Sequence, residues 1–286
     1  MTPEDKFNSL KNDLKKMERV IIAFSGGVDS TFLLKAASAA GIRDVLAVTG
    51  VSESLPDEEL AFAREMTSTL KINHREIITD ELKNKMYSDN PPDRCYYCKK
   101  ELFGKLKEIA EKEKYSCILD GSNSDDSRDW RPGRRAAREE GVHSPLHDAG
   151  LTKGEIRTLS RMLGLPTWDK PATPCLSSRI PYGQKITPEG LGKVYQAEQY
   201  IRQFGIKELR VRNHAEVARI EIHPGEFPVV LADDVRERIV DHLKSLGFRY
   251  VTLDLQGFRS GSGNDVLSGQ GIKEDSDLAG RDDARQ

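Results

Sequence analysis

The sequence predicts a doubly wound parallel α/β sheet followed by a smaller C-terminal α+β domain. Two observations predict the first part. Short apolar, β-leaning runs alternate with helix-length segments between residues 20 and 163, and a glycine turn joins the first run to the first of those helices. The third observation is a change of order after Pro181-Tyr182-Gly183, to helix, strand, strand, helix, strand. The expected layout is a first domain over 1–183, a second over 184–260, and a disordered tail over 261–286, where Gly, Ser, Asp and Lys take over.

Residues 4–18 read as an amphipathic helix with Phe7, Leu10, Leu14 and Met17 on one face. Val20–Phe24 is the first strand, and Phe32–Ala37 continues as helix. Asp44–Thr49 is a second buried strand, and Pro56–Leu70 is a helix with proline and acids in its first turn. Glu76–Thr79 and Tyr115–Asp120 supply two more strands, the second leading into Gly121-Ser122-Asn123-Ser124-Asp125-Asp126. In parallel sheets ligands bind at the carboxyl ends of the strands, which is where this loop falls, with Gly121 and Asn123 as its candidate contacts. Residues 128–139 concentrate arginines, a pattern usual for a solvated helix face. Thr152 with Glu155 forms a capping box, and Gly164 closes the helix that follows. Three prolines between 166 and 174 exclude helix there, leaving a loop that carries Cys175, Ser177, Ser178 and Arg179. In the second domain the predicted elements are a helix over 188–204, strands over 207–213 and 217–222, a helix over 231–246 and a strand over 249–255. Arg210 and Arg212 alternate in a strand, so both guanidinium groups leave one face, where they are either solvated or meet an anion.

Charged residues make up 31% of the 286, yet the net charge is only −2, which argues against a general nucleic-acid binder. No apolar run approaches the roughly 20 residues that span a bilayer. The polar segment from Met1 to Arg19 has no signal-peptide core, so a cytoplasmic protein is expected.

Ser25-Gly26-Gly27-Val28-Asp29-Ser30-Thr31 sits between strand and helix. Gly26 and Gly27 allow positive φ and close approach of a ligand to the backbone. The first N–H groups of the helix then face that ligand with the positive end of the helix dipole behind them, and Ser25, Ser30 and Thr31 add hydroxyls. A tetrahedral oxyanion suits such a site. The string lacks the spacing and lysine of a Walker A loop. It resembles the PP-loop of the ATP pyrophosphatases (the adenine nucleotide alpha hydrolase-like fold), which cleave ATP between its α and β phosphates. That resemblance implies ATP with Mg²⁺ as ligands.

The four cysteines are too few for a disulfide scaffold in a chain of this length. Cys95 and Cys98 form C-x-x-C at the start of a helix predicted over Tyr96–Glu113. A redox pair, a structural zinc and an iron–sulfur cluster are all compatible with that spacing. The zinc would need a fourth ligand. Cys117 lies in an apolar run, the ordinary place of a buried thiol. Cys95, Cys98 and Cys175 remain, and three thiolates can hold a [4Fe–4S] cluster with one iron open.

SGGVDST, DRCYYCKKELF, DGSNSDD with DWRPG, KPATPCLSSRIPYG and RVRNHAEVARIEI, in that order, resemble the LarE sulfur transferases over residues 15 to 260. The resemblance implies an enzyme of nickel-pincer nucleotide biosynthesis. Its members adenylylate a carboxylate of pyridinium-3,5-biscarboxylic acid mononucleotide and replace the oxygen with sulfur. Some have one cysteine, which gives up its sulfur and becomes dehydroalanine. Others have three and are thought to use a [4Fe–4S] cluster carrying an extra sulfide, and the cysteines place this chain with the second kind.

The expected site follows. Ser25, Gly26, Gly27, Asp29 and Ser30 hold the ATP phosphates, with Lys99 and Arg179 as further phosphate contacts. Cys95, Cys98 and Cys175 hold the cluster, Cys175 standing also as the catalytic position. Arg210 and Arg212 meet the phosphate of the nucleotide substrate, and Glu198 is a family-based candidate beside them. Sulfide or another sulfur donor is required, and a homo-oligomer is expected, with no nucleic acid and no membrane. The rival functions are tRNA thiolation, an NAD- or GMP-synthetase-like ligase, and a metal- or redox-sensing protein. The near-neutral charge counts against the first, the cysteines against the second, and the nucleotide motif against the third.

Overall fold

A computed structural model describes residues 1–128, 132–259 and 261–268. In chain order the elements are α1 (Pro3–Leu14), β1 (Arg19–Ala23), α2 (Val28–Ala40), β2 (Asp44–Val51), α3 (Asp57–Leu70), β3 (Asn73–Ile78), α4 (Lys85–Ser88), α5 (Arg94–Glu113), β4 (Cys117–Leu119), α6 (Gly133–Glu139), α7 (Pro145–Asp148) and α8 (Lys153–Met162). There follow α9 (Pro188–Arg202), β5 (Leu209–His214), β6 (Val217–Ile222), α10 (Phe227–Leu231), α11 (Asp233–Ser245), β7 (Tyr250–Leu253) and α12 (Asp265–Ser268).

The chain divides into two compact units. The first comprises Met1–Glu81 and Asp93–Thr173, and the second comprises Leu82–Pro92 with the described residues from Pro174 on. In the first, four parallel strands lie in the order β3-β2-β1-β4. Successive residues of β1 serve opposite faces of this sheet. Val20 and Ile22 join Phe32, Leu33, Leu146, Ile156 and Leu159 on one side. Ile21 and Ala23 join Phe103, Leu106, Ala136 and Ile118 on the other. Both faces are thus covered, as a parallel sheet requires, and the expected doubly wound class is the one observed. The chain runs from β1 outward to β2 and β3, then crosses back through α5 to β4 on the far side of β1. The strand order therefore reverses between β1 and β4, and the crevice at a parallel sheet's carboxyl edge opens at such a reversal.

The second unit carries a mixed sheet in the order β5-β6-β7, antiparallel between β5 and β6 and parallel between β6 and β7. Its core joins Ala197 and Ile201 of α9, Val211, Ile220 and Ile222 of the sheet, and Ile239 and Leu243 of α11. The expected helix over 231–246 is α11, and an unexpected short helix, α10, precedes it, the two separated by an extended conformation at Ala232. The Lys170–Arg179 stretch is shared: Lys170–Thr173 ends the first unit, and Pro174 onward belongs to the second. Within the expected tail, residues 262–268 carry a 3₁₀ turn and α12, and the remainder lies outside the described residues.

Candidate functional site

In the first unit the chain leaves β1 at Ala23, turns through Ser25–Gly27 and enters α2 at Val28. Gly26 takes φ +69°, where a side chain would strain the backbone, whereas Gly27 has φ −78° and forms the extended N-cap. The expectation of positive φ therefore holds for Gly26 and is corrected for Gly27. The N-cap Gly27 offers no side chain to cap α2, and Ser25 Oγ accepts the Gly27 N–H at 3.4 Å. The hydroxyls of Ser25 and Ser30 lie 3.2 Å apart, and Ser30 Oγ donates to Gly27 O at 3.3 Å. These two side chains brace the turn from inside.

Asp29 occupies the second position of α2, where the helix dipole favours an acid. Lys153 Nζ donates to its Oδ2 at 2.6 Å, and its buried Oδ1 has no hydrogen-bond partner. An orphaned carboxylate oxygen at the head of a helix is the donor type a divalent cation such as Mg²⁺ takes. Lys170 closes the other side of the turn: its Nζ donates to Gly26 O at 3.3 Å and to Glu59 Oε2 at 2.8 Å, and lies 3.8 Å from the Phe62 ring centroid.

The loop after β4 comes against this turn. A Cβ on Gly121 would stand 3.0 Å from Ser30 N and 3.2 Å from Ser30 Cα, so only glycine fits without displacement. Asn123 is buried and supports the loop itself, its Oδ1 accepting from Asp125 N at 2.9 Å. Asp125 Oδ2 in turn accepts the Lys153 backbone N–H at 2.8 Å. Behind the turn, Thr49 Oγ1 donates to Phe24 O at 2.8 Å and meets His74 Nε2 at 2.9 Å, which leaves that nitrogen as the donor. Burial holds His74 below its ordinary pKa.

Cys95 and Cys98 are one helical turn apart at the start of α5, the first exposed and the second half-buried. Lys99 follows, with its stem against Gly133 and its amine 5.4 Å from the Phe103 ring. Of the DWRPG string, Asp129–Arg131 lie outside the described residues. Cys117 is half-buried on β4, with its sulfur 3.7 Å from Met17 Sδ, and burial pushes its thiol up.

Cys175 belongs to the second unit, at the head of the 3₁₀ turn Leu176–Arg179. Arg179 is 1% exposed. It pairs in fork fashion with Glu198, Nε to Oε1 at 2.9 Å and Nη2 to Oε2 at 3.0 Å, while Nη1 donates to Cys175 O at 3.1 Å. Arg212 makes a second fork with Glu221 at 3.1 and 2.9 Å and donates to Ser178 O at 2.7 Å. Two buried ion pairs thus hold the turn that carries Cys175. Tyr87 Oη meets Ser177 Oγ at 2.6 Å, and Asn90 Nδ2 donates to Ile180 O, Pro181 O and Gln184 O, so the Leu82–Pro92 segment clasps the same turn. Arg210, on the same face as Arg212, is also buried, and burial together with the nearby Arg179 pushes its pKa down to about 10. Burial is the larger cause, and the Glu198 carboxylate partly offsets the neighbouring arginines.

Among the described residues no group of three or more His, Cys, Asp or Glu side chains is gathered as a metal site, and the four cysteines form no disulfide. Cys95 stands three residues after Pro92 and Cys175 one residue after Pro174, so these cysteines lie close in sequence to points where the chain passes from one unit to the other. Sequence reasoning missed Lys153, Lys170, Glu221 and Tyr87. Only a spatial partner marks each of them, and no local pattern announces it.

A family model for asparagine synthase matches residues 8–86, the segment that includes β1, the glycine turn and α2. The chain is 44% identical over 265 residues to an uncharacterized protein of Synechocystis, covering 93% of this chain and 99% of that one. It is 41% identical over 259 residues to the pyridinium-3,5-bisthiocarboxylic acid mononucleotide synthase of Lactiplantibacillus plantarum, covering 89% and 92%. An uncharacterized protein of Methanocaldococcus jannaschii is 31% identical over 258 residues, covering 89% and 98%.

Proposed function

The chain belongs to the LarE family of pyridinium-3,5-bisthiocarboxylic acid mononucleotide synthases, and from that premise we propose how its residues divide the work of ATP-dependent sulfur insertion. The enzyme uses ATP to activate a carboxylate of pyridinium-3,5-biscarboxylic acid mononucleotide and exchanges its oxygen for sulfur, a step in nickel-pincer cofactor biosynthesis. A carboxylate oxygen is a poor leaving group and AMP a good one, which is the chemical reason for spending ATP.

In the first half-reaction the substrate carboxylate attacks the α-phosphorus. The bond from that phosphorus to the β-bridging oxygen breaks, pyrophosphate leaves, and an acyl adenylate remains. Ser25, Gly26, Gly27 and Ser30 hold the phosphates at the head of α2, with Gly121 and Asn123 shaping the opposite wall. Lys99 is the further phosphate contact, whereas Arg179, 1% exposed and forked to Glu198, instead holds the turn that carries Cys175. Mg²⁺, held by Asp29, would offset phosphate charge. The contribution of these groups is placement and charge neutralisation. In the second half-reaction a sulfur nucleophile attacks the acyl carbon, the bond to AMP oxygen breaks, and a thiocarboxylate and AMP are released.

Arg210 and Arg212 receive the phosphate of the substrate nucleotide, with Glu198 fixing the turn beside them. The place of the two arginines on one face of β5, where both are buried, supports this. Cys95, Cys98 and Cys175 would hold a [4Fe–4S] cluster. Three thiolates, two of them one helical turn apart, are the donor chemistry such a cluster takes, and it would supply an open iron for external sulfide.

The observation that carries the ATP half is the glycine turn between β1 and α2, with Gly26 at φ +69° and an uncapped helix start facing the reversal of strand order. The deciding experiment is the product pair: ATP with the substrate should yield AMP and pyrophosphate. ADP and phosphate as the main products would end this reading.

A further inference from the structure

Lys153 is the first residue of α8, and its position is unusually well determined. Thr152 caps the helix through its capping box with Glu155, Thr152 N donating to Glu155 Oε2 at 2.8 Å. The Lys153 backbone N–H is held by Asp125, and Ser124 N donates to Leu151 O at 2.9 Å. The GSNSDD loop and the head of α8 are therefore one braced piece, aimed at the glycine turn. From it the ammonium reaches Asp29 Oδ2 at 2.6 Å, across 124 residues of sequence. The lysine side chain keeps 35% of its surface exposed, so the ammonium has room to turn.

Lys170 is different. Its ammonium is shared among a carboxylate, a backbone carbonyl and an aromatic face, and both it and Glu59 are largely buried. That is a strut for the turn, and it has no remaining need of a ligand.

We propose that Lys153 is the phosphate-neutralising cation of this site, contacting the β and γ phosphates of ATP and the pyrophosphate that leaves, with Asp29 as its partner when no nucleotide is bound. The inference rests on the ATP reading above. A triphosphate on the glycine turn brings several negative charges within reach of an ammonium that otherwise faces a single carboxylate, and Asp29 is then released to a cation. In the reaction the Pα–O bond breaks with its electron pair going to pyrophosphate. Lys153 remains protonated throughout: it stabilises that charge and transfers no proton. The assignment also gives the Asp125 carboxylate a purpose, that of positioning Lys153.

The test uses the full chain and two probes, inorganic pyrophosphate with Mg²⁺ and AMP, each titrated by calorimetry. Lys153→Met should weaken pyrophosphate binding by at least about tenfold, the weight of one charge-assisted hydrogen bond. Its AMP affinity should stay within about twofold of wild type, and Lys153→Arg should recover most of the pyrophosphate affinity. Lys153→Gln is the second neutral variant should the methionine chain fold poorly. Unchanged pyrophosphate affinity in the neutral variants would overturn the proposal, as would an equal loss for AMP, which would mark a purely structural ion pair. Wild-type protein that binds pyrophosphate through Lys153 yet makes no AMP from ATP would instead sink the adenylylation reading and leave the phosphate contact standing.

Discussion

Cys117 and Cys175 show how environment separates residues of one type. Cys117 sits on a strand against Met17, its thiol pushed up by burial, and serves packing. Replacing Cys117 with alanine should leave metal content and turnover near wild type. Replacing Cys95, Cys98 or Cys175 should each abolish a brown, anaerobically prepared form binding about four irons, read by iron analysis and absorbance. If Cys175 instead becomes dehydroalanine in step with product, as intact mass would show, the cluster assignment falls and the adenylylation half survives. The paired arginines differ in a comparable way. Arg212→Ala leaves the nearly inaccessible Glu221 carboxylate to Arg219 Nη2 at 2.9 Å and Ser262 Oγ at 3.1 Å, so it should cost about 1–3 kcal/mol of stability, measured by denaturant unfolding. Arg210 lies on the same face, its Nη1 donating to Leu209 O at 2.7 Å. As the proposed contact to the substrate phosphate, Arg210→Ala should register as a raised KM for the nucleotide substrate, with KM for ATP nearly unchanged.

Close approach sets what each element tolerates. The loop after β4 touches the backbone of α2 at Gly121, where a Cβ would meet Ser30 N at 3.0 Å. Gly121→Ala should push the loop off the phosphate turn and raise KM for ATP several-fold, as pyrophosphate release would show. Gly192, inside α9, has nothing within 4 Å of a built Cβ. Gly192→Ala should stabilise the protein by about 0.5–1 kcal/mol through lower backbone entropy of the unfolded chain, without altering KM. A matching effect of the two substitutions on ATP kinetics would show that the contact at Gly121 has no bearing on the nucleotide.

Each unit contains a histidine that folding holds neutral. His74 is kept below its ordinary pKa by burial, and His214 by burial and then by Arg219 and Arg212. The unfolded chain takes up these protons near pH ~6.5, ahead of the folded protein. Between that pH and the lower folded values the unfolded state binds more protons, so stability falls as pH falls. Thermal midpoints should accordingly decline on acidification below about pH 6.5, and His74→Gln should flatten the decline. A wild-type midpoint that rises on acidification through that range would contradict both assignments. No helix among the described residues is long and apolar enough to cross a membrane.

The main local elements were legible in the sequence, while the short helices α4, α7 and α10 were not. Apolar runs marked β1 and β2 because buried parallel strands need side chains for both faces. The Thr152–Glu155 capping box placed the start of α8 to the residue, since both partners lie within one turn. The strand, glycine turn and helix were legible together because they are contiguous in the chain. What the tertiary structure alone decided depends on residues far apart in the chain. The crossing of α5 put β4 beside β1 and thereby brought Gly121 onto Ser30. Packing turned Arg179 toward Glu198, 19 residues on, and Arg212 toward Glu221 across the β5–β6 pair, and set Lys153 on Asp29 across 124 residues. A charge in a sequence does not name its partner. Burial removes water as an alternative, and the nearest opposite charge that folding delivers then takes its place.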